Sequence, residues 1–180
     1  AEVVSLHDPL DWSLRNKLQS PNSQFWLGTD DKGRDLWARM TIGARISLQV
    51  GFLSVAFGSG LGGVLGVVSA WYGGKVDQVI QRIMDALMSI PTLILALTVT
   101  AALGQSLTNI IIAVGIVQIP RANRVVRSQA LSVKESQYVD AARAIGANNL
   151  RIMLMHITPQ CVAPWLIIAT SALGIAILTE

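Results

Sequence analysis

Three stretches of this chain hold no Asp, Glu, Lys or Arg: residues 46–74, 86–120 and 152–179. A bilayer core of ~30 Å is crossed at 1.5 Å per residue, so a membrane helix needs about 20 mostly apolar residues. Residues 48–70 meet that requirement. Gly58, Gly62 and Gly66 recur there at four-residue spacing, which lets helix backbones approach closely in lipid. The second stretch is too long for one crossing and breaks at Gly104-Gln105-Ser106. It predicts one helix over 86–103, with Pro91 in its first turns, and another starting at Leu107. The apolar part of the latter, 107–119, spans only about 20 Å. That helix is therefore expected to continue to about 126, to kink at Pro120, and to let Arg121, Arg124 and Arg127 snorkel to the interface. A last span covers 163–180. The expected fold class is all-α: a polytopic membrane protein with about four transmembrane helices.

Two polar segments flank these spans. Residues 1–45 carry the turn residues Pro9, Pro21, Asn22 and Ser23. A short amphipathic helix over 35–41 follows, with Leu36, Trp37 and Met40 on one face. Trp26 and Trp37 suit a membrane interface, and Trp71 suits the opposite one. The second segment, 128–159, is polar but reads as helical. Residues 135–145 form a helix pattern ending at Gly146, a natural C-cap. Tyr138, Ala141, Ala142 and Ile145 fall at i, i+3, i+4 and i+7, a narrow face with small residues at its centre. A further helix is expected from the N-cap Asn148 to Ile157, before Pro159. A short helix with a small-residue face fits a groove on another protein.

Composition supports the membrane reading. Only 14% of the 180 residues are charged and the mean hydropathy is +0.50, against roughly 25% charged in soluble domains. These values exclude a disordered chain and a nucleic-acid-binding domain. Cys161 is the only cysteine, which excludes a disulfide scaffold. Lys and Arg placement orients the chain. Lys75 and Arg82 separate the first two spans. Arg121, Arg124, Arg127, Lys134, Arg143 and Arg151 separate the last two. Both connections are expected to be cytoplasmic, with Gln105 and residues 1–45 outside. An earlier span would be needed to bring residues 1–45 there, so the chain reads as part of a longer protein.

No catalytic constellation is present. Gly73-Gly74-Lys75 is a turn rather than a phosphate loop, and HExxH, GxSxG and CxxC do not occur. His7 and His156 fall on opposite sides of the membrane and form no shared metal site. His156 reads as packing near a helix end. Asp85 reads as a partner of Arg82, three residues earlier, or as a helix-end cap.

Two signatures carry a family resemblance. Asp140-Ala141-Ala142, Gly146 and Pro159 resemble the cytoplasmic EAA loop of ABC-importer permeases, with Asp140 in place of the usual Glu. Residues Gly28-Thr29-Asp30, Gly33-Arg34-Asp35 and Arg45 resemble the GTDxxGRD signature of the dipeptide/oligopeptide/nickel branch of those permeases. Gly73-Gly74-Lys75-Val76-Asp77, and Asp85 with Pro91, are similar to that branch as well.

The resemblance implies about six spans in the whole protein, the first and last lying beyond this chain. It implies a multi-pass permease subunit of the cytoplasmic (inner) membrane, with an extracytoplasmic segment at 1–45 and a transmembrane domain at 46–180. Its EAA-type loop at 128–159 would hold a coupling helix using Tyr138, Asp140, Ala141, Ala142, Gly146 and Pro159. The implied partners are a second permease subunit, two ATPase subunits and an extracytoplasmic solute-binding protein, with no nucleic acid. ATP and Mg would bind the ATPase subunits and no cofactor this chain; hydrolysis, and so enzyme activity, would lie there. The implied cargo is peptides or related small solutes such as nickel complexes. A secondary transporter or channel without an ATPase partner is the alternative, but no charge lies in mid-span to favour it.

Overall fold

The computed structural model describes residues 8, 11 and 13–179, with only the backbone described for 176–179. His7, Pro9 and Glu180, which figured in the expectations above, lie outside the described residues. The chain divides into two compact units, 1–49 and 50–180.

Among the described residues, the first element of the first unit is a 3₁₀ turn at Leu14–Asn16. The turn at Pro21–Ser23 is fixed by Asn22, whose side-chain oxygen accepts the N–H groups of Gln24 (2.9 Å) and Phe25 (2.8 Å). An antiparallel bridge pairs Thr29 with Asp35. Helix α1 (Leu36–Tyr72) starts directly after it. The short helix expected over 35–41 and the span expected over 48–70 are thus one helix of 37 residues. Between the two expected helices, over residues 42–47, the only glycine is Gly43, and one interior glycine costs about 1 kcal/mol, too little to stop propagation.

In the second unit α1 is followed by α2 (Gly74–Met88), α3 (Thr92–Leu103), α4 (Leu107–Lys134), α5 (Gln137–Ala144) and α6 (Asn149–Ile152). A π-helical turn, Met153–Ile157, leads into α7 (Thr158–Thr179). Gly73 and Gly74 both have positive φ (63° and 49°) and turn the chain between α1 and α2. The 71–85 connection, expected to be a loop, is therefore mostly helix. Its apolar residues Val76, Val79 and Ile83 face outward. Its polar residues Asp77, Gln81 and Asp85 bond inward to neighbouring helices, an arrangement that suits a lipid surround.

The single helix expected over 86–103 is two helices bent by 94° across Ser89–Pro91. Proline disfavours helical backbone at the preceding residue, so Ile90 leaves the helix and α3 starts afresh. The break at Gly104–Ser106 lies where expected. Ser106 caps α4 by accepting the N–H of Asn109 (3.2 Å). Helix α4 continues through Pro120, as its short apolar run required. The helix expected to stop before Pro159 also continues. Pro159 lacks an N–H and would crowd the carbonyl four residues back in a regular helix. The wider π turn accommodates it, with the Met153 carbonyl accepting both the N–H and the hydroxyl of Thr158.

Residues 36–72 and 149–175 are long and apolar enough to cross a membrane, and the bent α2–α3 pair would make a third crossing. The apolar run of α4 gives way to arginines after Pro120, so α4 does not qualify by composition.

The core of this unit joins α1, α4, α5 and α7 through Val67, Trp71, Val126, Ala130, Val139, Ile157 and Cys161. Gly58, Gly62 and Gly66 face α4 one turn apart. A methyl group on them would strike the carbonyl oxygens of Gly115, Ile119 and Asn123 respectively. The four-residue glycine spacing is thus matched by a four-residue spacing on α4, backbone against backbone.

Candidate functional sites

Six residues of the first signature are drawn together in the N-terminal unit. Asp30 is their centre. Its carboxylate accepts the N–H groups of Lys32 (2.8 Å) and Arg34 (3.0 Å). It also pairs with the guanidinium groups of Arg34 (2.7 Å) and Arg39 (2.6 Å). Desolvation works against its charge. Yet the Arg34 and Lys32 N–H groups and the two guanidinium groups hold its carboxyl well below the usual carboxylate range. Thr29 is buried and its hydroxyl donates to the carbonyl of Asn16. That hydroxyl also accepts the Gln19 N–H (2.9 Å). Asp35, 4% exposed, accepts the Trp37 N–H (2.9 Å) and so caps α1.

Gly28 and Gly33 have φ of 76° and 74°. Added methyl groups would overlap the carbonyl oxygens of Gln19 and Ser13. Arg45, the last residue of the signature, is exposed farther along α1.

The second signature is built differently. Helix α5 is shorter than the 135–145 expected, because α4 runs to Lys134 and the chain turns at Glu135–Ser136. Its predicted single face is split. Val139 (0% exposed) and Ala142 (5%) enter the core. Tyr138, Asp140, Ala141, Ile145 and Gly146 point outward, Ile145 at 86% exposure.

Gly146 has φ +84°. Its N–H bonds to the Arg143 carbonyl and the Ala147 N–H to that of Ala142, the two bonds of a Schellman cap. A methyl group on Gly146 would meet open space. Asn148 caps α6 as its position predicts, accepting the Arg151 N–H (2.8 Å). His156 stacks on Tyr138 at 6.4 Å between ring centres. Pro159 lies in the first turn of α7. Arg143 pairs with Asp140 (2.9 Å) and lies over the Trp71 ring, 5.4 Å from its centre. Lys134 contacts the same ring and donates to the carbonyls of Ala70 (3.0 Å) and Trp71 (2.8 Å), closing the end of α1. The α4–α5 connection and α5 are thereby clamped to the C-terminal end of α1.

A polar cluster that the sequence does not announce joins α1, α2 and α4. Arg127 bonds Asp77 through two nitrogens (2.7 and 2.6 Å). The Ser69 hydroxyl donates to the same carboxylate. Gln81 donates to Ser69 (3.0 Å) and to Asn123 (3.1 Å), which is fully buried. Asp85 pairs with Arg124 (2.7 Å), not with Arg82. Arg124 and Arg127 are thus ion-paired rather than simply snorkelling. The sequence carries no local signal for these pairs: Asp77 and Asp85 stand about two turns apart on α2, whereas Arg124 and Arg127 stand one turn apart on α4. Among the described residues, no group of three or more His, Cys, Asp or Glu is placed to hold a metal ion.

With this geometry in view, comparison with known proteins assigns the class. Residues 62–180 match the family described as binding-protein-dependent transport system inner membrane component, and the chain belongs to that family. It is 44% identical over 163 residues to a dipeptide transport system permease of Alkalihalophilus pseudofirmus, covering 91% of this chain and 54% of that protein. It is 38% identical over 161 residues to a glutathione transport system permease of Pectobacterium atrosepticum, covering 89% and 54%. The chain spans about half the length of the curated relatives it matches.

Proposed function

We propose that the protein containing this chain is a permease subunit of an ATP-driven importer, carrying peptides or related small solutes delivered by an extracytoplasmic solute-binding protein. Its partners are a second, homologous permease and two ATPase subunits, which bind ATP and Mg and hydrolyse the nucleotide. Residues 1–45 lie outside the cell membrane and 128–159 on its cytoplasmic side, as the distribution of Lys and Arg favours. The peptide class is supported by the names of the relatives and by the GTDxxGRD-type signature.

One observation carries the coupling mechanism: α5 buries Val139 and Ala142 while leaving Tyr138, Ala141, Ile145 and Gly146 bare. A helix anchored on one side with a small-residue face on the other suits a groove on the ATPase subunit. Closure of the ATPase pair would push α5. The motion would pass to α4 and α1 through the shared core and the Arg143–Trp71–Lys134 contact. Asp30, Arg34, Asp35 and their neighbours shape the external segment that faces the binding protein.

Gly146→Trp tests this. The space beside Gly146 is open, and its left-handed backbone adds a strain of about 1–2 kcal/mol for any side chain; the permease is expected to insert and assemble, but to lose binding-protein-stimulated ATPase activity and uptake in reconstituted complexes. Unchanged stimulation would remove α5 from the coupling role.

A further inference from the structure

Of the three arginines at the end of the α4 apolar run, two are satisfied by α2: Arg124 by Asp85 and Arg127 by Asp77. Arg121 has no ion-pair partner among the described residues. It lines a cavity of about 390 Å³ between α2, α3, α4 and α7, together with Thr92, Gln118, Leu87, Leu95 and Val117. The side chains of Thr92 and Gln118 also lack hydrogen-bond partners among the described residues. Arg121 and Thr92 are exposed and Gln118 is half-buried, so all three side chains are accessible to a ligand. Here all three meet in one space of small-ligand size, and no acidic side chain among the described residues lines it.

We infer that this cavity is a carboxylate-reading subsite of the transport pathway, with Arg121 as its cation and Gln118 and Thr92 as supporting donors. The inference rests on the peptide-importer reading and adds to it the end of the cargo that is recognised. A guanidinium holds a carboxylate through two parallel N–H bonds. The Gln118 amide and the Thr92 hydroxyl add neutral donors. One cation matches the single charge of a peptide C-terminus better than a multiply charged phosphate. Leu87, Leu95 and Val117 offer apolar surface to the adjoining side chain. The α2 carboxylates contribute indirectly: by pairing with Arg124 and Arg127 they leave Arg121 as the one arginine of this row without an acidic partner among the described residues.

The test uses the full-length permease with its partner permease, ATPase subunits and binding protein in liposomes of neutral lipid and, in parallel, of mixed neutral and anionic lipid. Uptake of a labelled dipeptide with a free C-terminus is measured at saturating binding protein, alongside stimulated ATPase activity. Arg121→Gln is expected to lower uptake per ATP hydrolysed by roughly tenfold or more, the scale of a lost charge-assisted bond. ATPase stimulation should stay near wild type, and Arg121→Lys should restore part of the uptake. Gln118→Ala is expected to give a smaller loss of the same kind. Unchanged uptake per ATP in Arg121→Gln would overturn the subsite and leave the importer reading standing. A parallel fall in assembly, ATPase and uptake would assign Arg121 a structural role and overturn it too. An effect confined to anionic liposomes would assign Arg121 to lipid phosphate and likewise overturn the subsite. Failure of the wild-type complex to take up any peptide would instead strike the importer reading, and the subsite with it.

Discussion

The two signature segments look alike in sequence: each is a short run of small and charged residues at fixed spacing. The structure uses them in opposite ways. The segment around Asp30 is closed on itself, its carboxylate taking two backbone N–H groups and two arginines. Its glycines are required where a side chain would strike backbone. The segment around Ala141 is open. Only Ala142 of its alanine pair is buried, Gly146 faces empty space, and Asp140 has just one exposed partner, Arg143, among the described residues. A motif that satisfies its own polar groups specifies a shape. A motif that leaves its face bare specifies a contact with something else.

The largest expected effect is at Gly33. Gly33→Ala forces a side chain into left-handed backbone and into the Ser13 carbonyl, a cost of about 2–4 kcal/mol. Protease protection of residues 13–35 should be lost. Intact protection would show that the first segment is not tightly closed.

The alanine pair divides the second segment. Ala142→Leu overfills the core at a cost of about 1–3 kcal/mol, lowering the yield of assembled permease. Ala141→Leu should leave yield unchanged while reducing ATPase stimulation. Equal effects on yield would mean that α5 has no distinct inward and outward faces.

Asp30→Asn acts through pH. The depressed folded pKa means that the stabilising contribution is fully present above the usual aspartate range, near about 4. It is lost as pH falls from there towards the folded value. Protection of residues 13–35 should therefore decline in wild type below that range. In the variant it should be weaker at neutral pH and flat through the same interval. Matching acid profiles would sink the charge-centred account of this segment. The smallest effect belongs to Asp140→Asn, whose exposed pair with Arg143 contributes about 0–0.5 kcal/mol; thermal stability of the purified permease should barely move.

Local chemistry is the legible part of the sequence. Gly146, Asn148 and Ser106 each end or start a helix where their backbone preferences place them. The membrane runs, the break at Gly104–Ser106 and the glycine stripe follow from spacing alone. Helix α2 is harder to see. Val76, Val79, Ile80, Ile83 and Leu87 repeat at helical intervals, but the charges among them give the segment the look of a loop. Pro91 fits an early helical turn by its position, yet its effect on Ile90 sets a 94° bend. The Asp77–Arg127 and Asp85–Arg124 pairs join residues 50 and 39 positions apart. Nothing local to either partner selects the other; only the close approach of α1, α2 and α4 does.

The π turn at Met153–Ile157 has a consequence for rotational phase. One spare residue in a helix advances everything beyond it by about 100° around the axis. Cys161 and Trp165 meet the same core as Ile152 only because that offset is built in. A helical wheel drawn without interruption from Asn149 to Ile175 would assign the wrong inner face to half of its length. The spare residue acts as a dial, setting which side of α7 is turned inward.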